Sequence, residues 1–270
     1  MTLTFSGRLV LVGAGKMGGA MLEGWLDRGL PGSSIAILDP GPPPEITDII
    51  SRHGIAHNPP VETVDDAEVV LLAVKPQIMD DVLPTVVPLG RSGPVFLSIA
   101  AGRTIAGFEA HLGAEAAIVR AMPNTPAAVG RGITVICPNA STSDGQVALC
   151  SSLLETVGEV ARIKDEALLD AVTAVSGSGP AYVFLLAECM AAAGVEAGLP
   201  EDLAMQLARA TVCGAGELMH RSPLTAATLR ENVTSPGGTT AAALDVLRGE
   251  DGMERLLAQR PRRTLEDGRG

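Results

Sequence analysis

A glycine-rich stretch near the N-terminus has the residue types and the spacing of an anion-binding turn. Residues 13–18 read Gly-Ala-Gly-Lys-Met-Gly, directly after the apolar run 8–12 and before a segment of helical periodicity. In a strand–turn–helix unit, Gly13 permits the tight turn, Gly15 lets a pyrophosphate approach bare backbone, and Gly18 lets the helix pack on the strand. Free N–H groups at the start of the helix attract the anion. The spacing predicts a dinucleotide site, with an ordinary strand–helix turn as the alternative.

A second candidate is Asp39, which ends the apolar run 34–38 roughly twenty positions after the glycines. In a dinucleotide fold, such a carboxylate hydrogen-bonds the adenosine ribose hydroxyls and repels a 2′-phosphate, so Asp39 favours NAD. The alternative is that the proline-rich segment 40–44 turns Asp39 away from the ribose. No lysine or arginine follows before Arg52, so the sequence shows no ready clamp for a 2′-phosphate.

Further apolar runs alternate with helical segments along the first part of the chain. Continuous apolar runs are typical of strands buried on both faces, so we expect an α/β fold with a parallel, doubly covered sheet. The predicted strands lie at residues 8–12, 34–39, 68–74, 94–99 and 116–121, with a candidate edge strand at 131–137. From residue 165 onward helical periodicity dominates, and we place the domain boundary near Ile163 and Lys164. The sequence predicts a dinucleotide-binding domain over residues 1–163 and a helical domain over residues 164–270.

Ligands of such sheets bind outside the carboxyl ends of the strands, and three turns at those ends are unusual here. Lys75 and Pro76 follow one predicted strand, residues 100–102 (Ala-Ala-Gly) follow the next, and residues 122–126 (Met-Pro-Asn-Thr-Pro) follow the third. The small residues leave room for a flat ring, and the prolines fix a rigid loop. Each turn alone has a simpler explanation, in solvation of the lysine or termination of a strand. Three such turns at one sheet edge favour a binding site.

Composition argues against several classes of partner. The formal net charge of −11 and the isoelectric point near 4.8 disfavour nucleic acid and an anionic membrane surface. The four cysteines have no metal-ligand spacing, so we expect reduced, buried thiols in a cytoplasmic protein and no metal site. We expect no signal peptide, and the apolar stretch 181–193, which contains Glu188, is too short to span a bilayer and predicts a buried helix.

The helical domain contains two glycine-rich breaks, at residues 176–180 and 234–240. In the first, Pro180 follows two serines, which is typical of a helix start. In the second, Thr239 or Thr240 is expected to cap a helix that continues to about residue 248. A helix start with exposed N–H groups and hydroxyls is also a site for a carboxylate, although packing alone explains each break taken singly.

The segment 229–240, Leu-Arg-Glu-Asn-Val-Thr-Ser-Pro-Gly-Gly-Thr-Thr, resembles the signature of the pyrroline-5-carboxylate reductases, which make proline. Residues 74–77, 122–126 and 174–182 match that family in order and spacing, so the resemblance covers residues 7 to 255. It implies a Rossmann domain followed by an all-helical dimerisation domain that intertwines two subunits. The implied activity is the last step of proline biosynthesis, reduction of 1-pyrroline-5-carboxylate to L-proline by hydride from NADPH or NADH. The implied assembly is a homodimer or a higher homo-oligomer built from dimers.

The resemblance also assigns roles to individual residues. Substrate contacts are implied at Ser235, Gly238, Thr239 and Thr240. The Thr240 hydroxyl is expected to hydrogen-bond the ring nitrogen during reduction. Cofactor contacts are implied at Gly13, Ala14, Gly15, Lys16, Met17, Gly18, Ala73, Val74, Lys75, Pro76, Ile99, Ala100, Ala101 and Asn232.

The chain departs from the family pattern at three places. Asn58 lies near a family asparagine that contacts the cofactor, but two prolines follow it as an insertion. Asp39 replaces a basic or hydroxyl-rich turn, which leaves the choice between NADPH and NADH open. Pro261 would break the closing helix that the family usually has.

Two other functions remain as alternatives. A β-hydroxyacid dehydrogenase would need a catalytic lysine after the domain junction, whereas Lys164 is the last lysine of the chain. A non-catalytic cofactor-binding or redox-sensing protein would have no need of residues 235–240. That segment holds no histidine, cysteine or carboxylate. This composition is consistent with a protonated cyclic imine as substrate, because reduction of such an electrophile needs positioning more than a strong acid.

Overall fold

The structure is a computed structural model that describes residues 7–258. The chain divides into an N-terminal and a C-terminal unit that meet between Gly177 and Ser178. The domain boundary near Ile163 and Lys164 stays a prediction. The closing segment that contains Pro261 lies outside the described residues.

The strands of the N-terminal unit form a single sheet. They are β1 (Arg8–Val12), β2 (Ile35–Leu38), β3 (Ala56–His57), β4 (Ala67–Leu72), β5 (Val95–Ser98), β6 (Ala117–Met122), β7 (Gly132–Pro138) and β8 (Gly158–Arg162). Their order is β3-β2-β1-β4-β5-β6-β7-β8, with every neighbouring pair parallel except β6 and β7. The chain changes direction across the sheet between β1 and β4, which is the switch point where Rossmann folds bind dinucleotides. The predicted α/β Rossmann architecture is confirmed.

Helices cover both faces of this sheet. They are α1 (Lys16–Asp27), α2 (Pro44–His53), α3 (Met79–Val86), α4 (Ile105–Leu112), α5 (Asp144–Leu154) and the short α6 (Leu168–Val172). Successive side chains of β1 point to opposite faces, so Leu11 joins the cluster beneath α1 and α5 while Val12 joins the cluster beneath α3 and α4. Trp25 of α1 is fully buried, and its Nε1 donates to the Leu153 carbonyl at 2.9 Å. Burial on both faces explains the continuous apolar runs.

The strand predicted over residues 131–137 is present as β7, but it does not lie at the edge of the sheet. The edge is β8, which pairs with β7 in parallel. β8 carries Glu159 and Arg162 and is largely exposed, so it lacks the apolar run that revealed the other strands. The last strand predicted from sequence is the one over residues 131–137, so β8 is a strand that the prediction lacks.

The C-terminal unit consists of helices. They are α7 (Gly179–Glu196), α8 (Glu201–Arg221), α9 (Ala226–Asn232), α10 (Thr239–Leu247) and α11 (Met253–Ala258). α7 and α8 pack against each other through small residues, and a Cβ on Gly194 would lie 3.2 Å from the Ala204 Cβ. Gly194 therefore allows close approach within one chain.

The glycine-rich stretch 176–180 does not break the helical path as expected. A π-helix over Thr173–Gly177 follows α6, and α7 begins at Gly179. Pro180 lies in the first turn of α7 as predicted, but the preceding Ser178 has helical backbone angles and gives no side-chain cap. The wider turns of a π-helix accommodate the extra residue without a loop, which periodicity alone does not reveal.

The expectation of a buried helix over residues 181–193 is wrong for the single chain. On α7 only Ala191 is buried, whereas the Phe184 side chain is 63% exposed. Within residues 7–258, the helical run Leu168–Glu196 is the one stretch long and apolar enough to cross a membrane by length and composition. Because core helices of soluble proteins pass the same test, this run is weak evidence for a membrane span.

The expectation of buried thiols holds for two of the four cysteines. Cys137 and Cys150 are buried, and burial raises the pKa of the Cys150 thiol to about 12. Cys189 on α7 and Cys213 on α8 are exposed in the single chain, because the faces that carry them have no covering element among the described residues.

An ion pair ties the start of α6 to the sheet and to α4. The Arg120 side chain of β6 is 11% exposed and donates to the Glu166 Oε1. The same oxygen accepts the N–H of Ile105, the first residue of α4, at 2.7 Å. Glu166 therefore satisfies a free N–H at a helix start and neutralises a largely buried guanidinium.

Glu166→Ala should lower the free energy of unfolding by about 2 to 3 kcal/mol, because it leaves both Arg120 and the Ile105 N–H without their partner. Chemical denaturation monitored by circular dichroism would measure this loss. Glu62→Ala, at an exposed position, is the control and should change stability by less than about 0.5 kcal/mol. Equal effects of the two substitutions would contradict the proposed role of Glu166.

Candidate functional site

The glycine-rich turn joins β1 to α1 in the conformation that its spacing predicts. Gly13 has φ of +89°, which favours glycine, and its N–H donates to the Leu38 carbonyl at 2.9 Å. A Cβ on Gly18 would lie 2.4 Å from the Gly13 carbonyl oxygen, so only glycine lets α1 start this close to the turn. Gly13 and Gly18 thus serve the fold itself.

Gly15 differs from the other two glycines. It is the N-cap of α1 with φ of −71°, and a Cβ placed on it would meet no described atom within 4 Å. α1 has no side-chain cap and no acidic residue in its first turn. Open space above Gly15 and uncapped N–H groups at a helix start are the features that bind a pyrophosphate. The turn therefore fits a dinucleotide.

Asp39 faces this turn from the end of β2. Its Oδ2 accepts the Ala14 N–H at 2.7 Å, and its Oδ1 accepts the Gly41 N–H at 2.9 Å. The proline-rich segment therefore does not turn the carboxylate away from the glycine turn. Contact between Asp39 and a ribose stays a prediction.

Asn58 holds the backbone of Asp39, a structural role that the sequence did not reveal. Its Oδ1 accepts the Asp39 N–H at 2.9 Å, and its Nδ2 donates to the Asp39 carbonyl at 2.9 Å. Its φ of +48° lies in the left-handed region, which asparagine tolerates better than most residues. Both ends of the side chain hold Asp39, and a direct contact with cofactor stays a prediction.

The segments after β4 and β5, where the nicotinamide contacts are predicted, follow the glycine turn along the same edge of the sheet. The Ala73 N–H donates to the Val12 carbonyl at 2.8 Å, and the Ile99 N–H donates to the Leu72 carbonyl at 3.2 Å. The segments after β1, β4 and β5 thus run side by side past the sheet edge. The structure brings together the predicted cofactor residues 13–18, 39, 73–76 and 99–101 at this edge.

The loop after β6 is held by Asn124, a residue to which the sequence pattern gave no role. Asn124 Oδ1 accepts the Ile133 N–H at 2.9 Å, and Nδ2 donates to the Ser176 carbonyl at 3.3 Å. A Cβ on Gly177 would lie 2.7 Å from the Met122 Cε, so the π-helix packs closely on this loop. The sequence signal for these two hydrogen bonds is an asparagine that lies between two prolines at the end of a strand.

The second group of predicted residues lies in the C-terminal unit. Residues 235–238, Ser-Pro-Gly-Gly, form a turn in which the Gly238 N–H donates to the Ser235 carbonyl at 3.0 Å. Gly237 has φ of +71° after a proline, the pattern of a type II turn. The turn leads directly into α10, whose N-cap is Gly238.

The start of α10 presents polar groups to solvent. α10 has no side-chain cap and no acidic residue in its first turn, and Thr239 and Thr240 are exposed. The predicted cap by a threonine hydroxyl is wrong, because the preceding turn makes Gly238 the N-cap. The uncapped N–H groups and the two hydroxyls form a donor set suited to a small carboxylate. Asn232, at the end of α9, is also exposed.

No group of three or more potential metal-ligating side chains occurs among residues 7–258. Neither the turn before α10 nor α10 itself brings a histidine or cysteine to the helix start.

Two family models match the chain. The model described as pyrroline-5-carboxylate reductase dimerisation matches residues 166–268, and the model described as NADP oxidoreductase coenzyme F420-dependent matches residues 8–102. A pyrroline-5-carboxylate reductase from Pseudomonas aeruginosa is 40% identical over 254 residues, covering 93% of this chain and 92% of that protein.

Solved structures resemble the whole chain. A pyrroline-5-carboxylate reductase from Coxiella burnetii superposes with a TM-score of 0.90 at 29% identity, covering 98% of both chains. A pyrroline carboxylate reductase from Plasmodium falciparum, solved with NADP bound, superposes with a TM-score of 0.81 at 28% identity, covering 97% of both chains.

Proposed function

The chain belongs to the pyrroline-5-carboxylate reductase family, and from that premise we propose that it reduces 1-pyrroline-5-carboxylate to L-proline with NADPH or NADH. This reaction is the last step of proline biosynthesis. One molecule of reduced cofactor and one proton are consumed for each C=N bond reduced. The N-terminal unit supplies the cofactor site and the C-terminal unit supplies the substrate site.

The start of α10 is the observation that carries the substrate assignment. Its free N–H groups and the Thr239 and Thr240 hydroxyls form a neutral donor set. Such a set binds the substrate carboxylate despite the net charge of −11 of the chain, because the donors act at close range. The absence of an acid or base from residues 235–240 suits an imine that is already protonated.

The residues of the chain contribute to the reaction by positioning the substrate. N–H groups at Thr239 and Thr240 hold the carboxylate, whereas the Gly238 N–H already donates to the Ser235 carbonyl within the turn. The Ser235 hydroxyl adds a further donor beside the turn. The Thr240 hydroxyl hydrogen-bonds the ring nitrogen as that nitrogen changes from an imine to a secondary amine. The bound reduced nicotinamide supplies the hydride. Fixing the ring in this way lowers the entropic part of the barrier.

A steady-state assay separates this function from the two alternatives. Oxidation of NADH or NADPH is followed with pyrroline-5-carboxylate, with a set of 3-oxo acids, and with no second substrate. The proposed function predicts that only pyrroline-5-carboxylate supports turnover. It also predicts that L-proline is the product. Turnover with a 3-oxo acid would indicate a β-hydroxyacid dehydrogenase, and binding without any turnover would indicate a cofactor-binding protein.

The C-terminal unit also supports assembly into a homodimer. Exposed apolar side chains are abundant on α7 and α8, among them Val183, Phe184, Leu185, Leu207, Leu218 and Met219. A folded monomer rarely exposes so many large apolar side chains on two neighbouring helices. In a homodimer, each copy would cover the apolar faces of α7 and α8 of the other copy. Higher oligomers would be built from such dimers.

Phe184→Glu should raise the dimer dissociation constant by at least about thirtyfold, the effect of losing one aromatic anchor worth about 2 kcal/mol. Sedimentation velocity over a concentration series would measure the shift. Val87→Glu, which replaces an exposed apolar residue of the N-terminal unit, is the matched control and should leave the constant unchanged. A wild-type monomer at all concentrations would contradict the homodimer.

We also infer that the protein acts in the cytoplasm without membrane or nucleic acid as partner. The acidic isoelectric point near 4.8 supports this inference, because nucleic acids and anionic membrane surfaces repel such a protein. In the homodimer, the apolar face of α7 would be covered by a second subunit.

A further inference from the structure

The Asp39 carboxylate is fixed in direction by the backbone on both sides of it. Its two oxygens each accept one N–H, from Ala14 in the glycine turn at 2.7 Å and from Gly41 at 2.9 Å. A carboxylate oxygen has two lone pairs, so each oxygen keeps capacity for a further donor. The group is therefore held beside the turn that binds the pyrophosphate.

The Asp39 backbone is fixed as well. Asn58 brackets the residue by accepting its N–H and donating to its carbonyl, both at 2.9 Å, and the His57 Nε2 lies 3.0 Å from the same carbonyl oxygen. Because these contacts hold the backbone, the carboxylate can leave the site only by rotating its side chain and losing the bonds from the Ala14 and Gly41 N–H groups. Each broken hydrogen bond costs free energy, so the carboxylate stays in place when a ligand arrives.

The charges around Asp39 do not favour a 2′-phosphate. Between Asp39 and Arg52 the chain has two further acids, Glu45 and Asp48, and no lysine or arginine. Arg52 lies in the last turn of α2. Lys16 stands at the first position of α1, where a pyrophosphate would use its charge. A 2′-phosphate would therefore meet a fixed carboxylate with no dedicated cation.

We propose that this chain is selective for NADH over NADPH and that Asp39 is the residue that discriminates between them. Its carboxylate accepts hydrogen bonds from the adenosine ribose hydroxyls of NADH and repels the 2′-phosphate of NADPH. The proposal rests on the proposed function in placing the nucleotide at the glycine turn.

Two measurements test the proposal, and the first needs no imine substrate. Isothermal titration with ADP-ribose and with 2′-phospho-ADP-ribose compares the two ribose forms directly, and we expect at least tenfold tighter binding of ADP-ribose. The steady-state assay then compares kcat/KM for NADH and NADPH, with at least a tenfold advantage for NADH expected. Tight ADP-ribose binding without reduction of pyrroline-5-carboxylate would overturn the proposed function while supporting the cofactor selectivity.

Variants of Asp39 separate discrimination from a merely structural role. Asp39→Asn and Asp39→Ser should each shift the ratio of kcat/KM values toward NADPH by about tenfold, because the like charge is removed. Both variants lose hydrogen bonds to the turn, but that loss weakens the two cofactors alike and leaves their ratio unchanged. Asp48→Asn on α2 is the matched control, since it removes one exposed carboxylate and should leave the ratio unaltered.

Two results would overturn the proposal. One is a wild-type protein that uses NADPH as well as or better than NADH. The other is an unchanged cofactor ratio in both Asp39 variants, which would mean that the carboxylate only supports the loop.

Discussion

Gly15→Asp should weaken the binding of NADH and NADPH by at least about a hundredfold while the protein keeps its fold. Gly15 is the N-cap of α1 with φ of −71°, which any residue adopts, and the space around its Cβ is open. Aspartate is a favourable N-cap residue, so its carboxylate would accept the N–H groups that the pyrophosphate needs. It also places a negative charge in the anion site. Isothermal titration and thermal unfolding would measure the two effects.

Two further glycine variants separate the loss of the pyrophosphate site from a general loss of the fold. Gly15→Asn caps the helix without the charge and should weaken cofactor binding less than Gly15→Asp does. Gly18→Ala places a Cβ 2.4 Å from the Gly13 carbonyl oxygen and should destabilise the fold itself. A folded Gly15→Asp protein with wild-type cofactor affinity would contradict the location of the pyrophosphate site.

Thr240→Ala should lower kcat/KM for pyrroline-5-carboxylate by about tenfold to several hundredfold, the range for one lost hydrogen bond to the reacting group. The Thr240 side chain is exposed and makes no hydrogen bond to another residue in the part of the chain that the structure describes. Its removal should therefore leave the fold intact. Because the substitution leaves the proposed pyrophosphate contacts at residues 13–18 unchanged, affinity for NADH and NADPH should hardly change. Steady-state kinetics and isothermal titration would provide the two readouts.

Thr240→Ser is the matched control for this prediction, because it keeps the hydroxyl and removes only a methyl group. It should retain activity within about threefold of the wild-type value. If Thr240→Ala instead keeps the wild-type kcat/KM in a folded protein, the hydroxyl does not contact the reacting nitrogen.

Local patterns predicted the elements that position the site. The apolar run before Gly13 became β1, and α1 follows it as the periodicity indicated. α10 begins and ends close to the predicted residues. These signals are reliable because they act over a few residues. A tight turn needs glycine, and a strand buried on both faces needs an apolar run.

Features that depend on distant partners were not predictable from local patterns. The edge strand β8 carries charges and gains its conformation from pairing with β7. The bonds from Asn58 to Asp39 and from Glu166 to Arg120 join residues that only the fold brings together. The π-helix over Thr173–Gly177 differs from an α-helix by a single inserted residue, which periodicity does not register.

Transfer of deuterium from the cofactor tests the proposed reaction most directly. The protein is incubated with pyrroline-5-carboxylate and with NADH or NADPH that carries deuterium on both C4 positions of the nicotinamide. Mass spectrometry should then find L-proline with one deuterium on the ring carbon that was double bonded to nitrogen. In heavy water with unlabelled cofactor, that carbon should carry no deuterium. Unlabelled proline from the labelled cofactor, or no proline at all, would contradict the proposed function.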